Sequence, residues 1–143
     1  ATTLICCDGI GAGVRANLLE LGLSNRISIQ QADARALSEH FPAQHFSAIV
    51  TNPPYGVILG QKLDFRRFYY RFLVQAGKVL VAHGLLVLLA WKRGDLVRAL
   101  RDHGGFRQRH VRVVETGDLY PRIFVLERLP AGPPRAPAPG DER

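Results

Sequence analysis

Phe46-Ser47-Ala48-Ile49-Val50-Thr51-Asn52-Pro53-Pro54-Tyr55-Gly56 is the stretch on which the fold turns. Six residues of strand-forming character are stopped by Asn-Pro-Pro, because proline has no N–H to give to a ladder and cannot continue a central strand. A strand that ends in a rigid polar loop places its loop side chains past the strand's carboxyl end, where open α/β sheets bind their ligands.

Outward from this point, strands and helices alternate. Residues 3–7 and 27–31 read as strands. Residues 14–23 carry Val14, Leu18 and Leu21 at helical spacing before Gly22. Residues 33–37 read as a loop or short helix. Phe65, Phe68, Tyr69, Phe72, Leu73, Ala76, Val79 and Leu80 recur at three and four, an amphipathic helix that the spacing closes near His83-Gly84. Residues 85–91 are continuously apolar, as in a strand buried on both faces. A helix over 95–102 and two strands over 106–115 and 123–128 follow, with a turn at 116–121. The expected fold class is α/β: a mostly parallel sheet with an antiparallel closing pair and helices on both faces. Proline, glycine and alanine dominate 130–143, which reads as a disordered tail behind one domain over 1–129.

The chain of 143 residues is 47% hydrophobic and 22% charged, a globular balance. Its longest apolar run, near 84–91, is too short to span a bilayer, and no basic-then-apolar leader opens it. The expectation is a cytoplasmic protein without a membrane partner. Cys6 and Cys7 are neighbours and point to opposite faces of a strand, so they read as core thiols and supply no metal set. The five histidines lack ligand spacing. A net charge of +7 favours polyanions through counterion release. The chain contains no methionine, so residues are expected before Ala1.

Asp8, Asp33 and Asn52 each stand at or just past the end of a different strand and should share one edge of the sheet. Chemistry assigns Asn52-Pro53-Pro54-Tyr55 a catalytic task. An exocyclic amine on a base is conjugated with its ring. The Asn52 side-chain oxygen and the Pro53 carbonyl can each accept one of its N–H bonds, which orients the nitrogen and favours charge developing on it. The prolines fix the backbone so that the acceptors converge. Tyr55 offers a flat face for an extruded base. Asp8 suits the ribose hydroxyls of a nucleoside cofactor. Asp33 suits an adenine amino group, with the Ala34 amide donating to a ring nitrogen. Each aspartate has the plainer alternative of a helix cap.

The segment from Thr51 to Gly60, TNPPYGVILG, resembles the fourth motif of class I S-adenosylmethionine-dependent methyltransferases. It is most similar to the THUMP-associated RNA methyltransferases that make N2-methylguanosine in tRNA or ribosomal RNA. ICCDGIGAGVRANLLELGL is similar to that family's second strand and following helix, QADARAL to its third-strand end, and 72–89 and 117–127 to its late helix, fifth strand and closing pair. The resemblance implies S-adenosyl-L-methionine as cofactor, held by Asp8, Gly9, Ile10, Asp33, Ala34 and Asn52. It implies RNA, tRNA in particular, as the partner, with guanine N2 as the methylated atom. Adenine N6 shares the motif and is the alternative, and an inactive nucleic-acid-binding fragment is a third reading. Tyr55, Gly56, Lys92 and Arg93 are the expected substrate contacts. The family often carries an arginine soon after the motif's glycine; here Val57-Ile58-Leu59 follow. Lys62, Arg66, Arg67 and Arg122, with Lys92 and Arg93, are the cations available to replace it. The resemblance also implies that the family's first strand, central between those ending at Asp8 and Thr51, is missing together with its glycine-rich loop. A chain with that gap is expected to be able to self-associate.

Overall fold

The computed structural model describes residues 2–6, 11–53, 64–91, 93–115 and 117–130. Its elements run β1 (Thr2–Cys6), α1 (Gly11–Glu20), β2 (Ile27–Gln31), a 3-10 turn (Ala34–Ala36), α2 (Leu37–His40), β3 (Phe46–Thr51), α3 (Phe65–Val79), β4 (Leu80–Ala90), α4 (Arg93–His103), β5 (Phe106–Val113) and β6 (Arg122–Arg128). The strands form two sheets, β1-β2 and β3-β4-β6-β5. β1 pairs with β2 and β3 with β4 in parallel; β6 runs antiparallel to both β4 and β5. The antiparallel β5–β6 pair is the expected closing pair, and β6 is the one strand of the larger sheet reversed against β4. Among the described residues β1 and β3 have one paired side each. The sheet is thus a Rossmann-like one interrupted where its first strand would stand, as the resemblance implied.

The core lies between the helices α3 and α4 and one face of the larger sheet. Phe65, Tyr69, Phe72, Leu73, Ala76 and Val79 of α3 are buried, with Leu86, Leu88 and Ala90 of β4, Leu96 and Ala99 of α4, and Phe124 and Leu126 of β6. The three-and-four spacing of α3 produces this stripe. Asp64 caps α3 by accepting from the Arg67 amide at 3.0 Å. Arg66 on α3 meets Asp102 on α4 at 2.8 Å. The 3-10 turn and α2 dock on α3 through Leu37 and Phe41 and a 2.9 Å bond from the Ser38 amide to Gln75.

Three expectations are corrected. The α3 helix does not run to His83-Gly84: it ends at Val79 and β4 begins at once, because Leu80 already pairs with Phe46. The register then jumps, since Ala48 faces Leu85, and the extra residues bulge out of the ladder. Gly84 is required there. A Cβ would lie 2.9 Å from the Val81 carbonyl and 3.1 Å from that of Ser47, and His83 beside it holds φ at 63°. Second, 85–91 is not buried on both faces. Leu86, Leu88 and Ala90 are buried under the helices, whereas Leu85 is 39% exposed and Val50, on the same open face, 77% exposed. Third, the helix expected over 14–23 is α1, which ends at Glu20, so that Leu18 is buried within it while Leu21 lies past its end and is exposed. The disordered tail expected beyond Pro130 lies outside the described residues.

Glu127 on the open face is 6% exposed and ringed by basic side chains. Its carboxylate hydrogen-bonds His83 Nδ1 at 2.7 Å and Arg107 at 3.0 Å, with Arg109 at 2.9 Å. The bond to His83, then that to Arg107, hold the carboxyl well below its ordinary range, down to about 2. Such a group contributes stability that is complete above the ordinary value of 4.5 and is lost as pH falls from there through about 2. Urea midpoints of Glu127→Gln should therefore depend less on pH than those of the wild type between about pH 5 and 2. Parallel acid limbs for the two proteins would reject this role.

Candidate active site

The described residues place two of the expected clusters at strand carboxyl ends. Asn52 follows β3 directly and is exposed, and Pro53 beside it is buried. The buried ring anchors the backbone while the Asn52 amide stays open; that amide makes no hydrogen bond to another described residue. An acceptor that no described residue occupies, beside a proline-fixed backbone, suits a substrate N–H. Pro54, Tyr55 and Gly56 lie outside the described residues, as do Asp8, Gly9, Ile10 and Lys92.

Asp33 stands two residues past β2, and of its two expected uses the cap is the one the structure displays. It caps the 3-10 turn, accepting from the Arg35 amide at 2.8 Å, and its second oxygen meets the Arg35 guanidinium at 2.7 Å. The Arg35 side chain is the main cause holding this carboxyl below its ordinary range; burial opposes it, and Arg71 on α3 adds a smaller pull. Asp33 is thus an ionised acceptor, still 49% exposed along its side chain. Ala34, partly buried against the core, opens the turn, so its amide has no intrahelical acceptor. Together they offer an acceptor and a donor side by side, the set that an adenine amino group and ring nitrogen need. The pair is tied to the Asn52 strand through the core: the turn and α2 pack on α3, whose far end is bonded to the start of β3 through His45 N–H to Val79 O at 2.8 Å.

Among the expected cations, Arg93 is the exposed first residue of α4, at the carboxyl end of β4. Arg66 is held by Asp102, Arg67 is exposed, and Arg122 is half-buried at the start of β6. Trp91 is half-buried just past β4. Sequence reasoning passed over Arg107, Arg109 and Arg112 of β5, although three arginines and His110 in an eight-residue strand were in view. It also assigned nothing to His83 or to His103, whose Nδ1 accepts from the Gly105 amide at 3.1 Å; burial keeps the His103 pKa low. Among the described residues no group of three His, Cys, Asp or Glu is placed to hold a metal, and no helix is long and apolar enough to cross a membrane.

A four-stranded sheet with one reversed strand, a separate parallel pair, and an Asn-Pro step at a strand's carboxyl end fit a class I methyltransferase-type domain. The chain belongs to the RMKL-like methyltransferase domain family, UPF0020, which it matches over residues 3–122. It is 44% identical over 115 residues to a tRNA (guanine(6)-N2)-methyltransferase of Thermus thermophilus, covering 80% of this chain and 33% of that protein. An enzyme of the same description from Archaeoglobus fulgidus is 26% identical over 114 residues, 80% of this chain and 28% of its own length. The crystal structure of TrmN from Thermus thermophilus superposes with a TM-score of 0.76 at 39% identity, over 89% of this chain and 36% of that one. A SAM-dependent methyltransferase from Methanosarcina mazei shares the fold, with a TM-score of 0.67 at 14% identity, over 89% of this chain and 81% of its own. The chain spans about a third of the length of the curated relatives it matches.

Proposed function

We propose that this chain is the catalytic part of a S-adenosyl-L-methionine-dependent enzyme that methylates the N2 amino group of guanine in tRNA. The observation that carries the reading is the open Asn52 amide on a proline-fixed edge, in a chain whose relatives are described as tRNA guanine-N2 methyltransferases. When bound, the cofactor supplies an electrophilic methyl group on a sulfonium. The protein's part is to present the nucleophile. Asn52 Oδ1 and the Pro53 carbonyl accept the two N–H bonds of the amine, Pro54 stiffens the loop, and Tyr55 stacks on the extruded guanine. On transfer the nitrogen lone pair would form the N–C bond as the methyl–sulfur bond breaks, leaving a neutral thioether; the positive charge gained by the nitrogen would be stabilised by those acceptors until one N–H proton passes to solvent. Asp8, Gly9 and Ile10 hold the ribose and adenine, and Asp33 and Ala34 complete the adenine contacts. Gly56, Lys92 and Arg93 line the approach of the RNA. The protein works in the cytoplasm, and the edges of β1 and β3 that are unpaired among the described residues allow copies of the isolated chain to associate.

Nucleoside mass spectrometry of unmodified tRNA incubated with full-length protein and cofactor tests this. N2-methylguanosine is expected. N6-methyladenosine in its place would move the reading to the alternative base, and unmodified nucleosides would overturn it. Within the same reading, Asp33→Ala should weaken cofactor binding about fivefold, since a half-exposed hydrogen bond is worth roughly 1 kcal/mol. An unaltered dissociation constant by calorimetry would leave Asp33 as a cap for its turn alone.

A further inference from the structure

We propose that the edge strand β5 is a second nucleic-acid contact, in which Arg109 and Arg112 grip the phosphate backbone of the RNA outside the catalytic edge; this rests on the reading of RNA as substrate. Cross-strand partners share a face of a sheet. Arg107 faces Glu127, which faces Leu85; Arg112 faces Ile123, which faces Leu89. These residues therefore line the open face, opposite α3 and α4. Arg109 sits at the register shift after Gln108, and its guanidinium reaches the same Glu127. Three arginines thus stand on one exposed edge against a single carboxylate, and Arg112 has no ion pair to a described residue.

The row has a direction. Thr51, Leu88, Phe124 and Val111 lie side by side across the sheet. Arg112 is one residue nearer the edge where Asn52 stands, three inter-strand spacings away, or roughly 14 Å. From Arg107 to Arg112 the strand covers about 16 Å, the length of several nucleotides. Glu127 holds Arg107 and Arg109 in place, which lowers the ordering cost of a later contact. Side chains that are more than half exposed (54% for both Arg107 and Arg109) remain free to face a ligand. Fixed guanidinium forks on an open edge recognise phosphate without reading sequence. Such a contact would set the position of the tRNA while the Asn52 edge acts on one base.

The test compares wild-type full-length protein with the double variant Arg109→Ala/Arg112→Ala, using an unmodified tRNA transcript as probe. Filter binding from about 50 to about 200 mM KCl should show affinity reduced about tenfold at the lower salt. The slope of log affinity against log salt should fall by about one to two, one for each phosphate that is no longer neutralised. KM for tRNA should rise in step, the cofactor dissociation constant should hold, and Arg112→Lys should restore part of the slope. A thermal melt shows whether the variant is folded, and Arg112→Ala alone, which removes no ion pair to a described residue, gives the same comparison with less risk. Unchanged affinity and slope, with the variant only more prone to aggregate, would make these arginines a device that blunts a sheet edge and would overturn the proposal. Wild-type protein that ignores tRNA would instead remove the substrate reading itself.

Discussion

Asn52→Ala in the full-length protein is expected to lower kcat on the order of 100-fold or more, with cofactor affinity changed by only a few-fold. The exposed amide at the end of β3 has no described partner, so its removal breaks no bond that stabilises the described fold. It removes an acceptor for a N–H bond that strengthens as the amine becomes cationic. An interaction made mainly in the transition state lowers kcat and leaves ground-state binding largely intact. Removal of preorganised polar groups from other active sites sets the scale, roughly 2.7–4 kcal/mol. Single-turnover methylation with saturating tRNA and cofactor separates the step from product release. A kcat within a few-fold of the wild type would remove Asn52 from the reaction.

The larger elements were legible in the sequence because each carries a period that only one structure satisfies. The apolar spacing of α3 at three and four built the buried stripe from Phe65 to Val79, and the proline stop after Thr51 ended β3 where expected. The failures share a cause. His83-Gly84 looks like a helix stop because glycine favours such ends, yet here the glycine answers to the carbonyls of Val81 and Ser47, a close approach between segments that no local pattern encodes. Likewise, the unbroken apolar run of β4 reports what its faces would bury, and the open face carrying Leu85 and Val50 shows one of them uncovered. Of the site, Asn52 and Pro53 were read from their chemistry and stand at the expected edge. Asp33 was read as either acceptor or cap, and the structure gives it the cap while leaving half of its side chain open. The β5 arginines were missed because a strand sequence does not say which of its faces will be open.

That open face supports the last expected result: the isolated chain should self-associate, and Val50→Lys should raise the dissociation constant of the assembly by about 100-fold or more. β3 ends the larger sheet with one side unpaired among the described residues. Its outer N–H and C=O groups form a ready template for another strand. Val50, 77% exposed, and Leu85, 39% exposed, place apolar surface beside that template. A second copy adding its own β3 in a two-fold arrangement pairs the backbones and covers Val50 on both molecules. Burial of each valine is worth about 1.5–3 kcal/mol, and the symmetry doubles it to about 3–6 kcal/mol, at about 1.4 kcal/mol for each tenfold. Lysine at the same position forfeits this gain and sets like charges close together across the junction. Sedimentation equilibrium of both proteins reads the shift directly, and Val97→Lys on the exposed side of α4 (41% exposed) serves as a control for added charge. Equal constants for Val50→Lys and the control, or a wild-type chain that stays monomeric at the highest concentration reached, would mean that the β3 edge is closed by some other part of the polypeptide.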